Sequence, residues 1–188
     1  GREAFAEFEH LPRPRTAVLL GGPRRGIAFD DAFLRALTAG ITRRLQREGG
    51  SVLATASRRT PHDYARGVHE AMAPFPGVFW SGDADGANPY PGLLAWADRI
   101  IVTPDSVNML SEAAAVGVPV HTLAAAPLPD KLARFHAALR DRGSLHDLDA
   151  QVEKNSSPPL RETAQVARQL RGKIEPGIAG NAQDFIGV

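Results

Sequence analysis

Paired glycines and arginines recur in this sequence at the points where apolar runs end. Residues 21–26 read GGPRRG after the run TAVLL, and residues 57–60 read SRRT after the run SVLATA. Glycine lets backbone N–H groups approach an anion closely, and the arginine guanidinium binds phosphate oxygens in a fixed fork. These segments predict a diphosphate site. Its candidate ligands here are Gly21, Gly22, Arg24, Arg25, Arg58 and Arg59.

Two alternatives stay open for these loops. The glycines of the first loop could serve only to make a turn, with both arginines in solvent. The second loop could be an exposed basic turn that contacts a neighbouring carboxylate such as Asp63.

The third segment with chemical interest is VTPDSVNMLSEAAAVGVPV, residues 102–120. Thr103, Asp105 and Ser106 are all competent N-caps, so a helix starts within this run and Ser106 can face a phosphate there. Glu112 lies about one and a half turns into that helix and leans back toward its N-terminus. A carboxylate there could accept both hydroxyls of a ribose, as in dinucleotide-binding folds. The alternative for Glu112 is an exposed acid stabilised by the helix dipole.

Other chemistries are disfavoured by the patterns that the sequence lacks. GGPRRG is neither G-x-G-x-x-G nor a P-loop, the six histidines have no metal-binding spacing, and there is no G-x-S-x-G elbow. We therefore expect no metal and no cofactor. Another apolar run ends at Trp80 and is followed by Ser81 and Gly82. We expect these three residues to flank the nucleobase.

Apolar runs alternate with amphipathic segments along the chain. The runs TAVLLGG, SVLATAS, GVFW, RIIVT and VPVHTL are nearly all apolar, and segments with helical periodicity separate them. This alternation predicts a Rossmann-like, doubly wound parallel sheet with helices on both faces. We expect a lead-in and linker over 1–15, the domain over 16–148, and a C-terminal helix and tail over 149–188.

The amino-acid composition and net charge limit which classes of function are compatible with the chain. With 188 residues, 43% hydrophobic, a net charge of +1 and no cysteine, the chain has a composition typical of a soluble, reducing-compartment α/β domain. It has no overall charge to attract nucleic acid, and no apolar run approaches the roughly 20 residues that span a bilayer. We expect a cytoplasmic protein. Because the first residue is Gly, we treat the sequence as a fragment, a processed protein or one with a cleavage scar.

The segments TAVLLGGPRRG, DYARGVHEAMA and LLAWADRIIVTPDSVNMLSEAAAVGVPV resemble a known superfamily. They are similar to the C-terminal, donor-binding domain of GT-B glycosyltransferases and UDP-N-acetylglucosamine 2-epimerases, in particular the MurG-like branch. Within it, SRRTP, NPY, ADRIIVTPDSVNMLSEA and RFHAAL resemble the mitochondrial-fission ELM-type family, over residues 11–148. Bacterial members of that family are often labelled nucleoside-diphosphate-sugar epimerases.

The resemblance implies a function and a partner. Gly21 and Gly22 would meet the diphosphate of a nucleotide-sugar, and Glu112 would bind its ribose. The chain would be the second half of a GT-B-like, bacterial glycosyltransferase, inactive without an N-terminal domain that carries the acceptor site. Asp105 would add a carboxylate beside the diphosphate, which is unfavourable unless Arg58 or Arg24 neutralises it.

Other functions remain open alongside this one. The chain could be a catalytically silent interaction module, as the fission role of the plant relatives suggests. An epimerase is a weaker alternative, because it would need acid and base residues that the sequence does not identify. Self-association and peripheral attachment to a membrane also stay open, as do the sugar, the base and the acceptor.

Overall fold

The computed structural model describes residues 1–27, 29–82, 85–123 and 127–152. Strands and helices alternate along these residues, after a short 3-10 segment near the N-terminus. In chain order the elements are the 3-10 segment Glu3–His10, β1 Arg15–Leu20, α1 Asp31–Glu48, β2 Ser51–Ala56, α2 His62–Met72, β3 Gly77–Trp80, α3 Tyr90–Trp96, β4 Arg99–Val102, α4 Val107–Val116, β5 Val120–Thr122, α5 Asp130–Asp141 and β6 His146–Asp147.

The described strands form one parallel sheet in the order β3-β2-β1-β4-β5-β6. The chain builds outward from β1 to β3, then returns to the other side of β1 with β4. Strand order therefore reverses between β1 and β4. Crevices of this kind, outside the carboxyl ends of the strands, are where ligands bind in open α/β sheets. The predicted Rossmann-like, doubly wound fold is confirmed.

Alternate residues of each central strand supply two hydrophobic cores. In β1, Ala17 and Leu19 face the core that α3, α4 and α5 cover, whereas Val18 and Leu20 face the core under α1 and α2. All four side chains are at most 2% exposed. Burial on both faces explains why these strands are apolar throughout rather than alternating.

Polar residues fix where the helices next to the crevice begin. The Asp30 carboxylate accepts from the Phe33 backbone N–H at 2.8 Å and caps α1. Ser106 caps α4 through its hydroxyl, which lies 3.4 Å from the Met109 nitrogen. Each cap satisfies an N–H group that has no partner within its own helix. Ser106 was one of the three predicted caps.

The structure describes the N-terminal region expected to be a lead-in and linker, but little of the expected C-terminal helix and tail. The 3-10 segment, in the region expected to be a lead-in, contributes Phe8 to the core at 3% exposure. Strand β6 has two residues and was not predicted. The helix expected after residue 160 lies outside the described residues, as does most of the expected C-terminal tail.

Candidate functional site at the carboxyl edge of the sheet

Asp105 lies at the centre of the crevice between β1 and β4. Its side chain is completely buried and accepts hydrogen bonds from the Gly22 backbone N–H at 3.1 Å and the Thr103 hydroxyl at 2.7 Å. The Arg59 guanidinium forms an ion pair with it at 3.2 Å. Thr103 in turn accepts from the Gly21 backbone N–H at 2.7 Å. Both N–H groups of the glycine pair are therefore bonded to side chains of the β4 loop.

Close approach requires glycine at both positions of this pair. A Cβ built on Gly21 would overlap the Asp105 carboxylate, and one built on Gly22 would overlap the Arg59 carbonyl. The first loop thus does approach an anion as a phosphate-binding loop does, but that anion is the protein's own carboxylate.

Thr60 ties the second loop to the first. Its hydroxyl oxygen lies 2.6 Å from the Gly21 carbonyl oxygen and 3.0 Å from the Leu20 carbonyl oxygen, and Ser57 contacts it at 3.1 Å. The Ser57 backbone N–H also donates to Leu20 at 2.8 Å. These contacts fix the SRRT loop beside GGPRRG at the end of β1, so the two arginine pairs belong to one edge of the sheet.

All four arginines of these loops are exposed. Arg59 reaches the Asp105 carboxylate, and Arg24 Nη1 donates weakly to the Asp105 carbonyl oxygen at 3.4 Å. Arg59 supplies the positive charge beside the Asp105 carboxylate, whereas Arg58 and Arg24 were the arginines considered for this from the sequence. Arg25 and Arg58 extend from the same two loops into solvent. Four exposed guanidiniums therefore belong to the two loops beside one buried carboxylate.

Glu112 is exposed on α4 and bonded to Tyr90. The Tyr90 hydroxyl donates to Glu112 Oε2 at 2.5 Å, which links the start of α3 to α4. Burial and then this hydrogen bond raise the pKa of the Tyr90 hydroxyl, so it stays protonated and keeps donating. A carboxylate has about four acceptor positions, so one tyrosine leaves Glu112 able to accept further hydroxyls.

Comparison with known proteins identifies the family. A family profile described as "Mitochondrial fission ELM1" matches residues 1–174. The chain belongs to the mitochondrial fission ELM1 family.

Two relatives and a solved structure are among the proteins that this ELM1-family chain resembles. It is 36% identical over 172 residues to "Mitochondrial fission protein ELM1" of Arabidopsis thaliana, which covers 89% of this chain and 40% of that protein. It is 29% identical over 120 residues to "Uncharacterized protein RP120" of Rickettsia prowazekii (strain Madrid E), which covers 63% of this chain and 34% of that protein. The chain therefore spans well under half the length of both relatives.

The solved structure is MurG from Acinetobacter baumannii. It superposes with a TM-score of 0.45 and 15% sequence identity, over 90% of this chain and 43% of that chain. A likeness at this level carries no argument about the function of the ELM1-family chain.

The three residues expected to flank a nucleobase differ in exposure. Trp80 is 8% exposed, and its indole N–H donates to the Gly86 carbonyl at 3.1 Å. Ser81 is exposed, and both its N–H and its hydroxyl donate to Asp85, at 2.7 and 2.8 Å. These hydrogen bonds from Ser81 lower the pKa of Asp85. Trp80 packs inside the loop while Ser81 and Gly82 lie at its surface, and their contact with a base stays a prediction.

Beside this loop lies a small cavity that the sequence did not reveal. It measures about 210 Å³ and lies between α2 and the ends of β2 and β3. Its lining includes Thr60, His62, Arg66, His69, Phe79 and Ser81. His69 stacks on Phe79 with ring centroids 4.6 Å apart. Ser81 of this lining was expected to flank a nucleobase, but no pattern in the sequence predicted a cavity here.

His136 of α5 holds the loop that follows β4. It lies in α5 at 2% exposure, and its Nε2 is 2.9 Å from the Pro104 carbonyl oxygen. Because a carbonyl can only accept, Nε2 carries the proton in this contact. Burial lowers the pKa of His136, which keeps the ring neutral. Asp105 and Ser106 directly follow the residue that His136 holds.

Neither a metal site nor a membrane span is found in the part of the chain that the structure describes. There, no three His, Cys, Asp or Glu side chains are grouped closely enough to hold a metal ion. None of the described helices has both the length and the apolarity to cross a bilayer.

Proposed function

We propose that this chain is the nucleotide-diphospho-sugar-binding domain of a GT-B-like glycosyltransferase. The observation that carries the proposal is that two adjoining loops with four exposed arginines lie beside the crevice where strand order reverses. The start of α4 and the exposed Glu112 border the same edge. Guanidiniums suit a diphosphate, and a carboxylate suits a ribose diol.

The arginines, rather than the glycine N–H groups, would make the main phosphate contacts. Gly21 and Gly22 already donate to Thr103 and Asp105, so their N–H groups are not available without rearrangement. Arg25 and Arg58 extend into solvent, and Arg59 is half exposed while paired with Asp105. A diphosphate would compete with Asp105 for Arg59, so Asp105 sets how strongly the edge attracts anions.

Turnover would require the rest of a longer protein. The chain spans 40% of the Arabidopsis relative, and no acid-base pair is evident among the described residues of this edge. We expect this chain alone to bind a nucleotide-sugar without transferring the sugar, and the N-terminal part of the protein to be its partner. An epimerase would need that missing pair, so it is the weaker proposal.

Calorimetric titration with UDP-, GDP- and ADP-sugars tests the proposal. We expect one of the three to bind, and we expect Glu112→Ala and Arg58→Gln each to weaken binding about tenfold, the loss of one good charged contact. Glu70→Ala and Arg43→Gln are matched controls, since each removes the same exposed charge from a helix face away from the edge. Absence of binding by all three sugars, or equal losses in the controls, would contradict the proposal.

A second candidate function rests on Asp105. The carboxylate fills the position of an anion in the glycine loop, which is the arrangement expected if the ligand site has been replaced by an internal contact. The chain would then be a catalytically silent interaction module, in line with the name of its Arabidopsis relative. Light scattering after size exclusion would show self-association, and nucleotide-sugars would have no effect on the melting temperature.

A further inference from the structure

A larger cavity lies at the opposite, amino edge of the sheet. It measures about 590 Å³, and its lining includes Pro14, which precedes β1, Arg99, which begins β4, and Pro119, which precedes β5. The last turn of α1 closes one side with Arg44 and Glu48. This cavity shares none of its lining with the carboxyl edge.

Three arginines surround one carboxylate in this cavity. Glu48 forms an ion pair with Arg44 at 3.3 Å, accepts a hydrogen bond from Arg47 at 2.8 Å, and also pairs with Arg99. The other acid of the lining, Asp98, is bound by the Arg13 guanidinium and by a backbone N–H. The described lining therefore has an excess of positive charge.

Burial makes this excess of positive charge energetically unfavourable. Arg44 is 3% exposed and Arg99 is 7% exposed. Burial, then repulsion from Arg44 and Arg47, lowers the pKa of Arg99 to about 10. Like charges out of water destabilise one another unless an anion lies between them, and Glu48 is the carboxylate that contacts all three guanidiniums.

The three arginines are not equivalent. Arg44 donates to the carbonyl oxygens of Leu148 and Ala150 at 2.7 and 2.6 Å and also contacts the His121 ring. The Arg44 guanidinium therefore uses its N–H donors to hold the backbone near the end of the described chain. Arg47 is 39% exposed in its side chain and Arg99 borders the cavity, and the contacts of both guanidiniums go to Glu48 rather than to the backbone.

A buried hydroxyl beside Arg99 also lacks a partner. Thr16 is directly paired with Arg99 across β1 and β4, so both side chains lie on the same face of the sheet. Thr16 Oγ1 is buried and has no hydrogen-bond partner among the described residues, and Thr16 is the strand neighbour of Arg99 rather than part of the cavity lining. Such groups are uncommon in folded proteins and call for an explanation such as an unseen ion or water.

We propose that the cavity between Arg47, Arg99 and Glu48 binds the phosphate group of a small phosphorylated molecule or phosphate itself. The guanidinium forks match phosphate oxygens, and the volume accommodates a phosphate with a small substituent. Glu48 occupies part of the site and limits its affinity. This site is independent of the proposed function, because it lies at the other edge of the sheet.

Calorimetric titration of the whole chain with inorganic phosphate, pyrophosphate and glycerol 3-phosphate tests the inference. Binding of all three indicates that phosphate suffices, and binding of glycerol 3-phosphate alone indicates a phosphate ester as the ligand. We expect Arg47→Gln to weaken binding about tenfold, the loss of one charge-assisted contact. Glu48→Gln should tighten binding, because it removes the competing carboxylate.

Two matched controls keep the test specific. Arg43→Gln removes the same charge from the same helix but outside the cavity lining, and Arg58→Gln removes it from the carboxyl edge. Arg43→Gln should not change phosphate affinity more than about twofold, well under one contact, whereas any loss caused by Arg58→Gln measures anion binding at the carboxyl edge. Circular dichroism checks folding, and Arg47→Lys, which keeps the charge but loses the fork, should give an intermediate loss if Arg47→Gln does not fold.

Three results would overturn the inference. The first is no heat from any of the three compounds up to about 10 mM, a concentration that reveals a Kd of about 1 mM. The second is an equal effect of Arg43→Gln and Arg47→Gln, which would indicate unspecific attraction. The third is weakening by Arg58→Gln alone, which would put the anion at the carboxyl edge and support the proposed function instead.

Discussion

Asp105 is a buried carboxylate with three partners, and each partner depends on it. The Gly22 N–H, the Thr103 hydroxyl and the Arg59 guanidinium all donate to its two oxygens. Removing an acceptor of this kind leaves donors buried without partners, which costs more than the bonds themselves contribute. The crevice is therefore stable only while this position carries an acceptor.

We expect Asp105→Ala to lower the free energy of unfolding by about 3 kcal/mol, as is typical when a buried charged network loses one member. Asp105→Asn keeps one acceptor oxygen and should cost about 1 kcal/mol. Urea unfolding measures both. The exposed Glu70→Ala serves as the control, and an Asp105→Ala variant as stable as that control would contradict the assignment.

Gly21 gives a steric test of the same contact. We expect Gly21→Ala to destabilise the protein by about 2 kcal/mol or more, because the added methyl group meets the Asp105 carboxylate. Gly82→Ala adds the same methyl group where no atom lies within 4 Å and should change stability by less than about 0.5 kcal/mol. Thermal unfolding of both variants measures the difference, and equal melting temperatures would refute the close approach.

At the scale of elements, His121 joins the helix α1 to the short strand β6. The ring is 1% exposed, lies 3.1 Å from the Asp147 carbonyl oxygen through Nδ1 and contacts Arg44 of α1. Burial first, and Arg44 second, lower the pKa of His121 from 6.5 to about 3. His146 and Arg99 add smaller effects in the same direction, whereas the Asp147 carbonyl opposes them.

The lowered pKa of His121 predicts that acid destabilises the packing of α1 against β5 and β6. The folded state keeps His121 neutral, so its contribution to stability is fully present above the unfolded pKa of 6.5 and is lost as pH falls toward 3. We expect the free energy of unfolding to fall over that interval by about 2 kcal/mol or more. Urea titrations at several pH values measure the slope. His121→Gln should flatten it, and the exposed His62→Gln should not; equal slopes in all three proteins would contradict the prediction.

The 3-10 segment before β1 also packs against the core. Phe8 is 3% exposed within the core that α3 and α4 cover, and Phe5 stacks on it with centroids 5.6 Å apart. We expect Phe8→Ala to cost about 3 kcal/mol in the free energy of unfolding, as for other buried aromatics. Val78→Ala, at 37% exposure, is the control. A loss no larger than that of Val78→Ala would mean that the segment only lies on the surface.

Some of these elements could be predicted from sequence and others could not. The five apolar runs became strands because burial on both faces demands continuous apolar residues. Strand β6 has only two residues, His146 and Asp147, and no apolar pattern announces it. Arg59 rather than Arg58 reaches Asp105, because the turn geometry that selects between neighbours is set by Thr60 and its bonds to β1.

At the scale of the whole molecule, the two edges of the sheet present different chemistry. Strand alternation predicted that the loops after β1, β2 and β4 would converge, since parallel strands end at one edge. The amino-edge cavity was not predicted. Arg47 and Arg99 lie far apart in sequence, each looks like an ordinary helix-end or strand-start charge, and only the pairing of β1 with β4 and the packing of α1 bring them together.

The most direct test of the account is the affinity of the Asp105→Asn variant for nucleotide-sugars, compared with that of the unmodified chain in the same calorimetric titration. Removing this charge frees Arg59 and ends the repulsion between Asp105 and a phosphate. We expect Asp105→Asn to bind the preferred UDP-, GDP- or ADP-sugar about tenfold more tightly, from about 1.4 kcal/mol of relieved repulsion. If neither protein binds any of the three, or if both bind with the same affinity, the carboxyl edge is not a diphosphate site that Asp105 controls.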